Sequence, residues 1–284
     1  LPSATQVRCA FLATWAVQAM IPVQELIDFA VHLADLASAQ ILPRFRAPLG
    51  VDNKAGAGSF DPVTAADRDA EAAIRREIHR VYPDHGILGE EHGFEQGASR
   101  YTWVIDPIDG TRAFILGQLH WGTLIAVSDG ERPIVGLMHQ PYTGETFLGS
   151  ELGAELRRGG QTRALSARGA SRIEDAVLCA TDPAMFVDPQ ERRAFERVAA
   201  QARAVRYGGD CYTPCMVAAG CADLVIESGL GPWDVQPLTP IVQAAGGVIT
   251  DWSGGRADRA TRMVVAANRR LHATALELLK GDWR

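Results

Sequence analysis

Trp103-Val104-Ile105-Asp106-Pro107-Ile108-Asp109-Gly110-Thr111 sets two aspartates, three residues apart, at the end of an apolar run. Tyr101–Ile105 reads as a buried strand and Arg112–Leu116 as a helical turn. Pro107 stiffens the turn between the aspartates, Gly110 permits an unusual backbone angle, and Thr111 can cap the helix that follows. This geometry can aim two carboxylates at one point beside the N–H groups of a helix N-terminus. Carboxylates hold hard cations such as Mg²⁺, and a helix N-terminus holds phosphate. The combination suggests metal-assisted phosphoryl chemistry. Taken alone, Asp106 and Asp109 also read as ordinary turn and capping residues.

Upstream, apolar residues recur at helical spacing from Val23 to Leu42, where Pro43 ends the helix. Residues 46–62 read as loop, Thr64–Tyr82 as a second helix, Ile87–Leu88 as a short strand, and 89–100 as Gly- and charge-rich loop. Downstream come strands at Thr123–Ser128 and Ile134–His139, then a hairpin around Thr143-Gly144 into Thr146–Leu148. Residues 151–170 are turn-rich, which sets a division between two halves near 160. The second half alternates: strand 176–180, helix 189–201, strand 204–207, helix 212–219, strand 222–227, helix 233–245, strands 247–250 and 263–266, helix 270–279. Mixed strands and helices in both halves indicate an α/β or α+β layered protein.

The chain has 284 residues, 47% apolar and 22% charged, which excludes collagenous, coiled-coil and disordered classes. Its 34 acids and 28 bases leave a net charge of −6. That balance argues against nucleic acid and against an anionic membrane surface as partner. It suits a small-molecule enzyme or a cation binder. The five cysteines are sparse and lack CxxC spacing, so a zinc site or disulfide framework is not expected, and a reducing cytoplasm is. No run reaches 18 apolar residues. Arg8 before the apolar Cys9–Val17 faintly resembles a signal peptide. The preferred reading takes Met20 as the natural start and residues 1–20 as an N-terminal extension.

Three further acidic spots join the central one. Gly89-Glu90-Glu91 alone would be a solvated face. Asp61-Pro62-Val63-Thr64-Ala65-Ala66-Asp67 alone is a capping-box pattern, and Asp234 of Trp233-Asp234 alone is an N-cap. In order, D-P-V-T-x-x-D, G-E-E, D-P-I-D-G-T and W-D before a helix ending A-A-G-G resemble the signature of the inositol monophosphatase family, over roughly residues 23–280.

The resemblance implies a layered αβαβα sandwich of two α/β halves, residues 21–160 and 161–284, with a Mg²⁺-dependent phosphomonoesterase site between them. It implies a homodimer acting on a small phosphorylated metabolite. Glu90, Asp106 and the carbonyl of Ile108 would hold the first metal. Asp106, Asp109 and Asp234 would hold the second, and a third would lie near Glu90 and Glu91. Mn²⁺ would be able to substitute for Mg²⁺. Asp67 and Thr111, with Glu90 beside them, would be catalytic, orienting or helping to deprotonate the attacking water. The N–H groups of Gly110 and Thr111 would take the phosphate oxygens. No covalent phospho-enzyme is expected.

The flanks bear on the substrate. Inositol-type members continue D-G-T with Thr-Asn-Phe, whereas this chain has Arg112-Ala113-Phe114-Ile115, then Trp121-Gly122-Thr123-Leu124-Ile125. That wording, with Tyr207-Gly208-Gly209-Asp210-Cys211-Tyr212 and Asp223-Leu224-Val225-Ile226-Glu227, resembles the histidinol-phosphate phosphatase branch. Histidinol phosphate carries an ammonium and an imidazole, so its pocket needs acids away from the metals; Asp210 and Glu227 suit that, with a turn residue and a structural ion pair as their bland alternatives. Arg112 either pairs with a site acid or reaches a subunit interface. Lys54 either touches the metal-site acids or is solvated. Thr213-Pro214 and Leu116 depart from the branch wording. The alternatives are an inositol monophosphatase, a sugar or 3′-phosphoadenosine 5′-phosphate phosphatase, or a non-catalytic binder; the intact acids argue against the last. Neither a P-loop nor a dinucleotide fingerprint is present.

Overall fold

The computed structural model describes residues 20–48, 51–53 and 62–280; the expected extension up to residue 19, Lys54 and Asp61 lie outside them. Helix α1 (Val23–Ile41) buries Leu26, Ile27, Ala30, Leu33, Ala34, Ala37 and Ile41 as one stripe, and leaves Gln24, Glu25, Asp28, His32 and Asp35 exposed. By length and composition it could cross a membrane; here its apolar stripe is part of a protein core shared with α2 and the larger sheet. Pro43 lacks the N–H that would continue the helix, and the chain leaves through one 3-10 turn, Leu42–Arg44.

β1 (Val51–Asn53), within the stretch expected to be loop, and β2 (Pro62–Thr64), which runs from its end into the expected helix start, form an antiparallel ribbon. Three-residue strands are too short to show an alternating pattern. Helix α2 (Ala65–Val81) follows directly, capped by Thr64.

The larger sheet then assembles: β3 (Gly86–Gly89), β4 (Gly93–Glu95), β5 (Thr102–Asp109), a short helix α3 (Thr111–Ile115), β6 (Gly122–Ser128), β7 (Pro133–Gln140), β8 (Glu145–Ser150), β9 (Gly153–Arg158) and β10 (Gln161–Ala164). Its order is β10-β9-β8-β7-β6-β5-β3-β4, antiparallel except for β3 beside β5. The turn-rich reading of 151–170 missed β9 and β10. That edge hairpin carries Arg157, Arg158, Gln161 and Arg163, so it has no apolar alternation to read. Position 160 lies in its turn, and the chain leaves this sheet only after Ala164.

The second sheet comprises β11 (Val177–Ala180), then helix α4 (Pro189–Ala199), β12 (Ala204–Tyr207), helix α5 (Tyr212–Ala218), β13 (Leu224–Ser228), helices α6 (Pro232–Val235) and α7 (Leu238–Ala244), β14 (Val248–Thr250), β15 (Arg262–Ala266) and helix α8 (Arg269–Lys280). Its order is β12-β11-β13-β15-β14, with β11 parallel to both neighbours. The single helix expected over 233–245 is two. Pro237 withholds its N–H at the break, and Pro240 fits the first turn of α7.

Strand alternation sorts the interior into three cores. Ile125, Leu137 and Leu148 face α1 and α2, while their neighbours Leu124, Met138 and Phe147 face α5 and α7. Val225 and Val265 meet that same middle layer, while Leu224, Ile226 and Val264 face α4 and α8. The result is helices, sheet, helices, sheet, helices: the αβαβα sandwich. The middle layer is close-set. Paired Gly136 and Gly149 on β7 and β8 leave room for the α7 backbone. A Cβ on Gly136 would lie 2.0 Å from the Pro237 oxygen, and one on Gly149 2.3 Å from the Ile241 Cα.

Candidate active site

β5 ends in a bulge. Asp106 pairs with Leu124 and Asp109 with Gly122, so three steps on β5 match two on β6. Residues three apart on a regular strand point to opposite faces; the extra residue reverses the phase and turns both aspartates the same way. Pro107 occupies the bulge, where a missing N–H breaks no ladder bond, and its carbonyl accepts the Thr123 hydroxyl at 2.9 Å. Asp106 Oδ1 accepts the Ile108 N–H at 3.0 Å. Gly110 follows at φ 82°, and a Cβ there would lie 2.5 Å from the His120 oxygen, so both angle and space require glycine. Gly110, not Thr111, is the cap of α3. Thr111 is the first helical residue, and its hydroxyl donates back to the Ile108 carbonyl at 3.0 Å.

Asp67 and Asp234 reach the site by one device. Each is the third residue of its helix, with Oδ2 accepting the N–H three residues earlier: Thr64 for Asp67 at 2.9 Å, Gly231 for Asp234 at 2.7 Å. The Thr64 hydroxyl also donates to Asp67. Asp234 is therefore not the N-cap that its sequence suggests, because Pro232 takes the first helical position and Gly231 the cap. Capping and site roles are compatible: the cap engages one carboxylate oxygen and orients the other.

Carboxylate oxygens of Asp106, Asp109 and Asp234 lie within 4.8 Å of one another. Burial and mutual repulsion act together on them. Burial pushes Asp106 well above the usual carboxylate range, helped by the charges of Glu90 and Asp109. Asp234 is pushed well up by burial and by Asp109. Asp109 is raised by burial against the opposing pull of Cys211, whose N–H donates to its Oδ2 at 2.7 Å; the Gly110 N–H also leans on it. Asp67 is raised by burial despite its bonds from Thr64. Glu90, whose N–H donates to the Ile105 carbonyl at 3.2 Å, bears electrostatically on all four aspartates. The charge of Glu91 is felt by exposed Arg68 at the rim.

Such a cluster of hard oxygen donors suits a small divalent cation. Oxygens around one Mg²⁺ at about 2.1 Å lie up to about 4.2 Å apart, close to the spacing here. A divalent cation also removes the repulsion that raises these carboxyls.

Beside the cluster lies a cavity of about 80 Å³, lined by Asp109, Asp234, Asp210, Glu227, Thr181 and Met185 among others. At about 30 Å³ per water it holds two or three waters or a small ring. Among the described residues, no Lys, Arg or His lines it. Gly208 and Gly209 at φ 85° and 125° lead into Asp210 at φ 42°, a left-handed turn that sets Asp210 in the cavity wall and Cys211 against Asp109. Burial and the charges of Asp109 and Glu227 push Asp210 up to about 8. Buried Glu227 is the last residue but one of β13; its Oε1 accepts the Thr181 hydroxyl at 2.6 Å and N–H at 3.1 Å, and burial raises it to about 7. Arg112 pairs with Asp182 at 3.7 Å and acts on Asp210 from the exposed side.

The structure thus gathers Asp106, Asp109 and Asp234 tightly, sets Glu90 and Asp67 next to them, and puts Asp210 and Glu227 in the adjoining cavity. The sequence reading missed Thr181 and Met185. Their only signal was position, just past the carboxyl end of β11, where ligands of open α/β sheets gather.

A profile of the inositol monophosphatase family matches residues 22–283. This chain belongs to the inositol monophosphatase family. It is 37% identical to the bifunctional phosphatase IMPL2, chloroplastic, of Arabidopsis thaliana, over 87% of this chain and 73% of that protein. It is 33% identical to a histidinol-phosphatase of Chlorobaculum parvum, over 85% and 92% of the two chains. Among solved structures, an inositol monophosphatase from Zymomonas mobilis superposes with a TM-score of 0.81 at 35% identity, covering 92% of this chain and all of that one. The protein is therefore a phosphatase of this metal-dependent family, acting on small phosphorylated substrates.

Proposed function

We propose that this protein is a Mg²⁺-dependent phosphatase that hydrolyses L-histidinol phosphate to L-histidinol and phosphate. The observation that carries the substrate is the acid-lined cavity beside the metal cluster, with no base among the described residues that line it. Asp210 and Glu227 there complement an ammonium and an imidazolium, whereas an uncharged inositol ring brings no cation to the buried Glu227. The histidinol-phosphatase relative supports the same reading.

Glu90, Asp106 and the Ile108 carbonyl would hold one cation, and Asp106, Asp109 and Asp234 a second, with Glu90 and Glu91 near a third. When bound, these cations lower the pKa of the attacking water and neutralise charge on the phosphoryl and leaving oxygens. Asp67, one oxygen fixed by Thr64 and its proton affinity raised by burial, accepts the water's proton. The Thr111 hydroxyl donates to Ile108, so it turns lone pairs to the water. The N–H groups of Gly110 and Thr111 meet the phosphate oxygens. Glu227, with Oε1 held by Thr181, keeps Oε2 for the imidazole or ammonium.

A panel of histidinol phosphate, inositol 1-phosphate and 3′-phosphoadenosine 5′-phosphate tests this. Histidinol phosphate should show the highest kcat/KM with Mg²⁺. Glu227→Gln should lower that value about tenfold or more, as expected for a lost charged hydrogen bond, and leave inositol 1-phosphate nearly unchanged. Equal turnover of all three refutes the substrate while sparing the phosphatase. The reading also carries a homodimer, which light scattering on the eluted peak decides.

A further inference from the structure

Glu71 is fully buried, yet the chemistry above does not use it. It lies one turn after Asp67 on α2, about 6 Å along the axis. Its carboxylate accepts the N–H of Glu91 at 2.8 Å and that of His92 at 3.2 Å, and Arg75 Nε donates to it at 2.7 Å. The stripe continues: Arg75 donates to the Gly93 carbonyl, and Glu95 meets both Arg75 and His79, at 3.5 and 2.9 Å. Asp67, Glu71, Arg75 and His79 are spaced by four, and from Glu71 onward this face of α2 is fastened along the Glu91–Glu95 segment. Gly89 is shaped by the same contact. A Cβ there would lie 2.0 Å from a Glu71 carboxylate oxygen, so the glycine before Glu90-Glu91 is the residue that admits Glu71. From the other side the Glu90 N–H is held by Ile105, the residue before Asp106.

We propose that Glu71 is a positioning residue that locks the Glu90-Glu91 backbone to the helix bearing Asp67, making metal ligands and proton acceptor one rigid unit. This rests on the metal-site reading above. A carboxylate is suited to the task. It is acceptor-only, and the loop offers it two consecutive N–H groups while Arg75 balances its charge. Glutamine would present an amide nitrogen to one of those donors, keeping the volume and losing the lock.

The test is Mn²⁺ binding by the metal-free full chain, with the unbound Mn²⁺ followed by its electron paramagnetic resonance signal. In Glu71→Gln the dissociation constant should rise about tenfold or more, the range typical of residues that orient metal ligands. Circular dichroism should stay native. Glu77→Gln, on the same helix but paired with His32 and Arg80, should bind as wild type. A folded Glu71→Gln within about threefold of wild type overturns the proposal, because a merely structural residue would change stability and not affinity. If Glu71→Gln does not fold, Arg75→Gln decides on the same criterion: affinity weakened more than about threefold supports the lock, and unchanged affinity overturns it. Wild type that binds no Mn²⁺ overturns the metal reading itself, an outcome distinct from equal binding by wild type and variant.

Discussion

Asp109 is held in a place that disfavours it. It is crowded by Asp106 and Asp234, acted on by Glu90, and fixed by the N–H of Cys211 from the other half of the chain. An ionised carboxyl whose folded pKa is raised destabilises the fold at neutral pH, at about 1.4 kcal/mol per unit. Asp109→Asn keeps an oxygen for the Cys211 N–H and removes the charge. The metal-free variant should therefore melt a few degrees above metal-free wild type, since about 1 kcal/mol moves Tm by roughly 2–4 °C at this size. Scanning fluorimetry after chelation checks this; a lower Tm would show that Asp109 is not strained by like charge. What the sequence disclosed at this scale was the identity of the acids. Their aim at one point was also expected, from a turn stiffened by Pro107; what the sequence hid was that this turn is a bulge in a strand that runs on to Asp109. Thr111 likewise looked like a cap until Gly110, at φ 82°, took that place.

The elements are fitted to one another most tightly at the layer between the two sheets. Gly136 and Gly149 face each other across β7 and β8, and α7 lies on the bare patch they leave. Gly149→Ala should lower stability by about 1–3 kcal/mol, the usual effect of overpacking, and lower Tm by several degrees. Thermal unfolding by circular dichroism checks it; an unchanged Tm would mean α7 yields freely. Elements with a strong period, such as α1, α2 and the apolar β6 and β7, were readable from the chain. Those without one were not. β9 and β10 carry arginines on an edge, β1 and β2 have three residues each, and the α6–α7 break depends on Pro237.

Across the whole molecule, acids from both halves share one buried region, and stability becomes a function of pH. Glu227 and Asp210 have folded values near 7 and 8, above their ordinary ones. Between the ordinary and folded values the folded state binds more protons than the unfolded state, so stability falls as pH rises. The contribution is complete below the ordinary carboxylate range and is lost through about pH 7 to 8. From about pH 6.5 to 8.5, above the ordinary histidine value, the Tm of metal-free protein should therefore fall. Mg²⁺ should reduce that slope by neutralising the ionised triad; a Tm that rises over this range would contradict the placement of these acids. The fold was legible at this scale because four acidic motifs, ordered along nearly the whole chain, carry the family likeness, and strand alternation then sorts residues into three cores. The cavity was not, since its wall comes from the segments around 181, 210, 227 and 234, which no local pattern joins. The most direct test of the metal-dependent account is phosphate release from histidinol phosphate by chelator-stripped protein as Mg²⁺ is titrated back, for wild type and Asp109→Asn. The account predicts no release without metal, full recovery with Mg²⁺ in wild type, and none in the variant at any Mg²⁺. Turnover by the stripped wild type, or by the variant, would contradict it.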